Sequence, residues 1–287
     1  MHRNMITATA LATVVVAAAG CSTRTVSGAA IAPPKAAIEQ VPATPSTTTA
    51  PASRWVTAPW TGKVSSESMA GHQWSAVPVP GAATMHHSDD GGPAYQACTI
   101  GPAIRDASGS SGFLTAGHCT KSSAQYVIDS QEGTVKIYGS ASPSLNGMDA
   151  APVWTPITPA VTRIAGRWPV AGVLTAAAAG ALPPGTPICI DGAVSGVSCS
   201  TVVSAPGSMA GLTTAPLGQK GDSGSAVFVV GRDGRTALVG LHNGGTATTS
   251  TVVLLEPVLE ALKAEAVIDP AATPFTGDEF SARVRSY

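Results

Sequence analysis

GDSGSAVF, at residues 221–228, encloses Ser223 between Gly221 and Gly224, ahead of an apolar run. Glycine permits a sharp turn that exposes a serine hydroxyl and leaves neighbouring backbone N–H groups free to point at one spot. A hydroxyl in that setting is suited to acyl transfer. Ser223 is therefore the candidate nucleophile.

His118 is the best placed of the six histidines to serve as the base that a serine nucleophile requires. It belongs to TAGHC, residues 115–119, where an apolar strand at 113–116 leads to the imidazole. The next residue, Cys119, can fix the position of the ring through a disulfide. The sequence thus pairs a candidate nucleophile with a candidate general base.

Asp149 is the candidate for the carboxylate that orients the imidazole. It stands directly before the apolar segment 150–153, which distinguishes it from the competing residues Asp106 and Asp129. Capping of a turn is the alternative role for Asp149. We predict Asp149 as the third member of the constellation.

The order His118, Asp149, Ser223, together with TAGHC and GDSGS, resembles the chymotrypsin-like serine proteases, especially the bacterial streptogrisin and α-lytic branch. The resemblance covers about residues 93–265. It implies an all-β fold of two six-stranded antiparallel β-barrels with a C-terminal helix, which the apolar pattern of residues 254–264 also indicates. Short alternating runs bounded by Gly, Pro, Ser or Asn agree with barrel strands.

The resemblance also implies the role of each site residue. His118 acts as general base and then as general acid, and Asp149 orients it from the same barrel. Ser223 attacks from the second barrel, and the N–H groups of Gly221 and Ser223 form the oxyanion hole. In this family the carboxylate before the nucleophile turns inward, so Asp222 is expected to meet Arg163 or Arg167.

Substrate recognition is predicted on VGLHNGG, residues 239–245, where Gly244 and Gly245 allow a peptide to pair as an added strand. His242 matches the position at which glutamyl endopeptidases receive an acidic side chain, and Lys220 could assist it. A histidine at a strand edge is the alternative reading of His242. Leu217, where trypsin-like enzymes carry an aspartate, disfavours cleavage after Lys or Arg.

The five cysteines divide into Cys21 and two pairs. A Cys98–Cys119 disulfide would close a loop beside His118 and stabilise the fold by about 3 kcal/mol; two free thiols are the alternative. A Cys189–Cys199 disulfide would staple a predicted β-hairpin, as in streptogrisins. The streptogrisin disulfide that begins just before the nucleophile motif has no counterpart here.

The 287 residues are predicted to form a signal peptide of lipoprotein type (1–20), a disordered tether rich in Pro, Thr and Ala (21–90), the protease domain (91–265) and a polar tail (266–287). Small residues ending in Cys21 indicate lipidation of that cysteine, and an ordinary cleaved signal is the alternative. Trp55, Trp60 and Trp74 are expected in a weakly ordered part of this tether, and packing on the domain or membership of a cleaved pro-segment are the alternatives.

Composition restricts the partners. Charged residues make up 11% of the chain and the net charge is −1, so no nucleic-acid surface is expected. The adjacent His86 and His87, with Asp89 and Asp90, are interpreted as a solvated loop, and we predict no metal and no organic cofactor. The expected partners are a polypeptide substrate and, through the lipid anchor, the outer face of a membrane, with the chain a monomer.

The sequence therefore predicts an exported serine endopeptidase. An inactive scaffold on the same fold and an esterase with the same triad are the alternatives that remain open.

Overall fold

The structure is a computed structural model, and it describes residues 53–63, 68–69, 71–87, 95–129, 134–205 and 211–287. The predicted signal peptide and Cys21 lie outside these residues. The described strands alternate with turns rather than with helices, which confirms the predicted all-β class.

Twenty strands and two α-helices are described. The strands up to residue 154 are β1 Trp55–Val56, β2 Ser68–Met69, β3 His72–Gln73, β4 Ala83–His87, β5 Tyr95–Thr99, β6 Ala103–Asp106, β7 Ser111–Thr115, β8 Ala124–Asp129, β9 Thr134–Ala141 and β10 Ala151–Trp154. The later strands are β11 Arg163–Ile164, β12 Trp168–Val173, β13 Pro187–Gly192, β14 Gly196–Ser204, β15 Leu212–Thr214, β16 Ala226–Gly231, β17 Thr236–Gly245, β18 Ser250–Leu254, β19 Ala264–Ile268 and β20 Val284–Ser286. The helices are α1 Ala176–Gly180 and α2 Leu255–Leu262.

Six strands of the second half close into a barrel. They pair in the order β13-β14-β15-β18-β17-β16, and β16 also pairs with β13, which completes the circle. Every residue of β16 is buried, as its run of Ala, Val and Phe predicts for a strand packed on both faces. This barrel has the strand number that the sequence analysis expected.

The first half forms a nine-stranded sheet in the order β5-β4-β8-β9-β10-β7-β6-β19-β20, whose described strands make an open series. The expectation of a six-stranded first barrel is met only in part, because two strands from the end of the chain add to β6. Buried residues of both sheets and of α2 share one hydrophobic cluster, which includes Leu114, Phe228 and Leu259.

Helix α2 corresponds to the C-terminal helix that the sequence predicts. Leu255, Val258 and Leu259 form its buried face. It ends at Lys263, whose left-handed backbone (φ +52°) lets the chain turn back into β19.

The predicted tail is part of the fold. Phe275 is buried, its ring stacks on that of Phe280 at 4.8 Å, and both contact Trp55. Aromatic rings bury a large apolar area when they pack together. The polar composition that led us to predict residues 266–287 as a tail does not indicate this aromatic packing.

The described residues between 53 and 87 likewise depart from the expected disordered tether. Trp55 pairs in β1 with Gly231 of β16, and Trp74 is only 8% exposed. The hydrophobic burial of these side chains fixes a segment whose composition otherwise favours disorder. Among the described residues, no helix has the length and apolar character needed to span a membrane.

Candidate active site

His118 and Asp149 are joined by two hydrogen bonds. His118 lies in a 3₁₀ turn, Gly117–Cys119, that follows β7, and Asp149 directly precedes the residues leading into β10. The backbone N–H of His118 donates to Asp149 Oδ1 at 2.8 Å, and His118 Nδ1 lies 2.8 Å from Asp149 Oδ2. A carboxylate that holds both the backbone and the ring fixes the direction of the imidazole.

The environment of Asp149 keeps it ionised. Partial burial would raise the pKa of the carboxyl, but the hydrogen bonds from the side chain and backbone of His118 outweigh burial, and the Asn243 side chain adds a further bond. The pKa of Asp149 therefore stays below its usual value. Asp149 faces the histidine as an anion at neutral pH.

A disulfide and close packing both restrain the 3₁₀ turn that contains His118. A Cys98–Cys119 disulfide, with a Cα–Cα distance of 6.2 Å, joins it to β5. Gly117 has no room for a side chain, because a Cβ there would overlap Ser144 Oγ and lie 3.0 Å from Asp149 Oδ1. These constraints place the His118 backbone against the carboxylate.

Ser223 lies in a tight turn between β15 and β16. Gly221 and Gly224 have φ values of +102° and +92°, which non-glycine residues rarely adopt. The N–H of Gly224 donates to the carbonyl of His242 at 2.7 Å, which ties the turn to β17. The glycines of GDSG therefore supply the backbone geometry that the motif predicts.

Backbone contacts bring this turn against the histidine strand. The N–H of Thr99, at the end of β5, donates to the Ser223 carbonyl at 2.8 Å. A Cβ on Gly224 would overlap Thr115 Oγ1 and lie 3.0 Å from Ala116 N, two residues before His118. Ser223 of the second barrel thus meets the first sheet at the TAGHC stretch.

Asp222 does turn inward and is fully buried, but no arginine in the described part of the chain is bonded to it. Its Oδ1 accepts the N–H groups of Val194 and Ser195 at 2.8 and 3.0 Å. Its Oδ2 accepts the hydroxyl of Ser195 at 2.6 Å and the N–H of Gln219 at 2.7 Å. Four hydrogen-bond donors satisfy the carboxylate, so a cationic partner is not needed.

The two arginines proposed for Asp222 are engaged elsewhere. Arg163 Nε lies 2.8 Å from Asp269 Oδ2, and the Arg167 guanidinium lies 4.4 Å from the centroid of the Trp60 ring. The expectation of an Asp222–arginine pair is therefore wrong. The reason is that the hairpin turn at residues 193–195 offers backbone donors at the place where an arginine would stand.

An open cleft of about 510 Å³ is lined by Ser223 and by all four residues predicted to bind substrate. Its lining comprises Gly218, Gln219, Lys220, Ser223, His242, Gly244, Gly245 and Thr246. Leu217 does not line it, since that side chain packs in the interior of the second barrel. The cleft has the size of a site for one or two amino-acid side chains.

His242 forms part of the wall of this cleft and is 2% exposed. Its Nε2 lies beside Gly218, where a Cβ would come within 2.6 Å of the ring nitrogen. Burial lowers the pKa of His242; Asp222 opposes this shift, and the charge of His118 adds to it. At neutral pH the imidazole is neutral when the cleft is empty.

The second disulfide, Cys189–Cys199, joins directly paired residues of β13 and β14. It crosslinks the hairpin whose turn donates hydrogen bonds to Asp222. The disulfide therefore stabilises the support of the nucleophile turn as well as the barrel.

Metal ligands are scarce around the site. In the described part of the chain, the close group of potential ligands is Cys98, His118 and Cys119, and both sulfurs are in a disulfide. His86 is buried in β4 rather than solvated as the sequence analysis expected. The side chain of His87 and residues 89–90 lie outside the described residues.

Three residues of the site escaped the sequence analysis. Asn243 contacts Asp149, Ser195 binds Asp222, and Thr99 binds the nucleophile turn. Thr99 and Ser195 belong to segments predicted as a strand and a turn, and Asn243 belongs to the predicted substrate-binding strand, where no role was assigned to it. A polar residue next to a predicted site residue, such as Asn243 beside His242, was the available signal.

Several solved structures are similar to this chain. Thermobifida fusca protease A is 22% identical, with a TM-score of 0.48, over 67% of this chain and 100% of its own. Nocardiopsis protease is 21% identical, with a TM-score of 0.46, over 67% and 99%. A glutamic acid-specific serine protease that uses a histidine triad in substrate binding is 22% identical, with a TM-score of 0.47, over 65% and 98%.

The similar structures are bacterial chymotrypsin-like serine proteases. No protein-family model and no curated protein matches the chain. What the chain does has to be inferred from its own residues.

The hydrogen bonds at Asp149 predict a titration change. Because burial alone would raise its pKa, His118→Ala should move the pKa of Asp149 upward, and Asn243→Ala should move it upward by less. Carboxyl-carbon NMR titration measures both shifts. Asp106, whose pKa is lowered by an exposed serine turn, serves as the internal control and should not move. An Asp149 titration that is the same in all three proteins would contradict the geometry.

Proposed function

We propose that the protein is a serine endopeptidase that hydrolyses peptide bonds through an acyl-enzyme intermediate. The observation that carries the proposal is the paired hydrogen bonding of His118 to Asp149, next to a glycine turn that presents Ser223. A partly buried carboxylate, an oriented imidazole and a hydroxyl on a tight turn are the groups that acyl transfer from a serine requires.

In this mechanism Ser223 Oγ attacks the substrate carbonyl carbon while His118 Nε2 accepts the hydroxyl proton. Asp149 holds Nδ1–H and stabilises the imidazolium that forms. His118 then donates that proton to the leaving amine as the C–N bond breaks, which leaves an ester on Ser223. A water molecule, deprotonated by His118, hydrolyses the ester and restores the hydroxyl.

The oxyanion of the tetrahedral intermediate would be held by the N–H groups of Gly221 and Ser223. Among the described residues, neither group donates a hydrogen bond to another protein atom, so both are available to a ligand. Two oriented donors in a partly dry site favour the charge that develops in the transition state.

The cleft beside Ser223 indicates which kind of substrate side chain lies on the acyl side of the scissile bond. We propose an acidic residue there, received by His242 with Lys220 at the rim. Neutral His242 gains a proton when a carboxylate arrives, and the resulting ion pair lies in a buried wall where it is poorly screened by water. Gly244 and Gly245 at the end of β17 leave backbone accessible for pairing with the substrate.

The location proposed for this activity is outside the cytosol. Two disulfides fit an oxidising compartment. Export by residues 1–20 and lipidation of Cys21 would hold the enzyme at a membrane, with the Pro-rich residues that follow acting as a tether.

A fluorophosphonate probe tests the nucleophile. The full chain should be labelled, Ser223→Ala should not, and Asp149→Asn should be slowed by up to about 10⁴-fold because the imidazole loses its orientation. Ser110→Ala, an exposed serine in a distant turn, is the control that should retain full labelling. Absence of labelling in the native chain would leave the scaffold interpretation.

Casein and a short-chain ester, offered to the same preparation, then separate peptidase from esterase. Turnover of the ester without cleavage of casein would overturn the endopeptidase proposal while preserving the triad.

Matched peptides with Glu, Phe, Ala or Arg before the scissile bond test the role of His242. Because its pKa is lowered, carboxylate binding must bring a proton, so the KM for the Glu peptide should rise with pH by up to about tenfold per unit above that pKa. The Phe peptide should lack this dependence, and His242→Gln should remove it. Equal or faster cleavage after Arg would contradict acidic preference.

A further inference from the structure

A second cavity, of about 380 Å³, lies apart from the residues of the proposed triad. None of His118, Asp149 and Ser223 lines it. Its walls are mostly apolar and include Trp74, Val79, Pro80, Ala82 and Ala165. A cavity of this size with few polar groups is typical of a site for a small molecule.

One carboxylate borders this apolar space. Asp191, at the end of β13, is 1% exposed, and its Oδ2 accepts the N–H of Ala165 at 3.0 Å. Its Oδ1 is buried and has no hydrogen-bond partner among the described residues. A buried carboxylate oxygen without a donor is costly, so such a group usually has a partner that completes it.

Within the ranges that the structure describes, no ion pair is formed by the Asp191 carboxylate. Arg163 also lines the cavity, but its Nε is paired with Asp269. Among the described residues, Asp222 is the acidic group that acts on Asp191, and its carboxylate is held by donors of its own. Burial raises the pKa of Asp191 to about 7, and Asp222 adds to this rise. The site therefore becomes anionic near neutral pH and presents that charge to an apolar cavity.

The backbone is shaped to admit this carboxylate. Gly81 packs directly against Asp191: a Cβ there would overlap Asp191 Oδ2, so only glycine permits the approach. Gly81 also has φ +84°, in the left-handed region.

We propose that this cavity binds a small organic cation, a primary ammonium on a short apolar chain, whose N–H donates to Asp191 Oδ1. The apolar part fills the space beside Trp74 and Ala165, and the ammonium supplies both the missing donor and the missing positive charge. No bond is made or broken on binding. The site is distinct from the cleft of the proposed peptidase and stands whether or not that activity is found.

The proposed site is connected to the nucleophile turn through the residues that follow Asp191. Asp191 is followed by Gly192, where a Cβ would overlap Asp222 Oδ1, and then by the turn that donates to Asp222. A cation at Asp191 changes the charge beside the carboxylate that anchors that turn.

Thermal unfolding of the full chain with n-butylammonium tests the proposal. At about pH 8 and constant ionic strength, a hundredfold excess over its dissociation constant should raise the unfolding midpoint by about 5–10 °C. At about pH 5.5 Asp191 is largely protonated, so affinity should fall by about tenfold or more, while the amine remains charged at both pH values. n-Butanol, with the same chain and no charge, should give no comparable shift.

Variants separate the site from a general salt effect. Asp191→Asn keeps the shape and removes the charge, and it should abolish the shift, whereas Asp106→Asn, in an exposed turn, should keep it. Ala160→Leu, at the exposed rim of the cavity, should reduce the shift by filling space without touching Asp191. If Asp191→Asn does not fold, Ala160→Leu alone decides. Absence of a shift in the native chain, an equal shift with n-butanol, or full shifts in the folded variants would overturn the proposal.

Discussion

Thr99 is the residue through which the two halves of the molecule hold the nucleophile turn. Its N–H donates to the carbonyl of Ser223, and its hydroxyl donates to the carbonyl of Gly221 at 2.9 Å. The same hydroxyl accepts the N–H of Ala193 at 3.0 Å, and the Thr99 carbonyl accepts the hydroxyl of Thr115 at 2.9 Å. Because Thr99 is fully buried, each of these bonds would be costly to break. Thr99 thus links the serine turn and the hairpin beside Asp222 through its hydroxyl, and the histidine strand through its backbone carbonyl.

The hairpin formed by β13 and β14 also supports the nucleophile turn. Its turn gives Asp222 backbone donors and one hydroxyl, from Ser195, in place of a cation. On its other side Asp191 faces an apolar cavity with an unsatisfied oxygen. Two buried carboxylates therefore contact this hairpin: Asp222, which the turn satisfies with hydrogen bonds, and Asp191 of β13, whose Oδ1 has no partner among the described residues. The arrangement at Asp222 suits a structural role, and the arrangement at Asp191 suits a binding site.

The sequence was informative where residue type determines geometry. Glycine at 221 and 224, the cysteine pairs and the apolar runs of β7 and β16 indicate turns, disulfides and strands that the structure contains. It was uninformative where backbone atoms act, since the N–H groups that hold Asp222 belong to no particular residue type. It offered packing of Trp55 on the domain only as an alternative, and it gave no sign of Phe275, because the contact between these two rings joins segments that are far apart in the sequence.

The most direct test of the role of Thr99 uses the Thr99→Val variant. The quantity to measure is the second-order rate constant with which a fluorophosphonate labels Ser223. This change preserves shape while it removes the hydroxyl that binds Gly221 and Ala193, so the rate should fall about tenfold or more. Thr236→Val, which removes an equally buried hydroxyl at the end of β17 opposite to His242, where it donates to the Pro169 carbonyl, is the matched control and should label at the native rate. A folded Thr99→Val protein that is labelled as fast as the native chain would contradict the account.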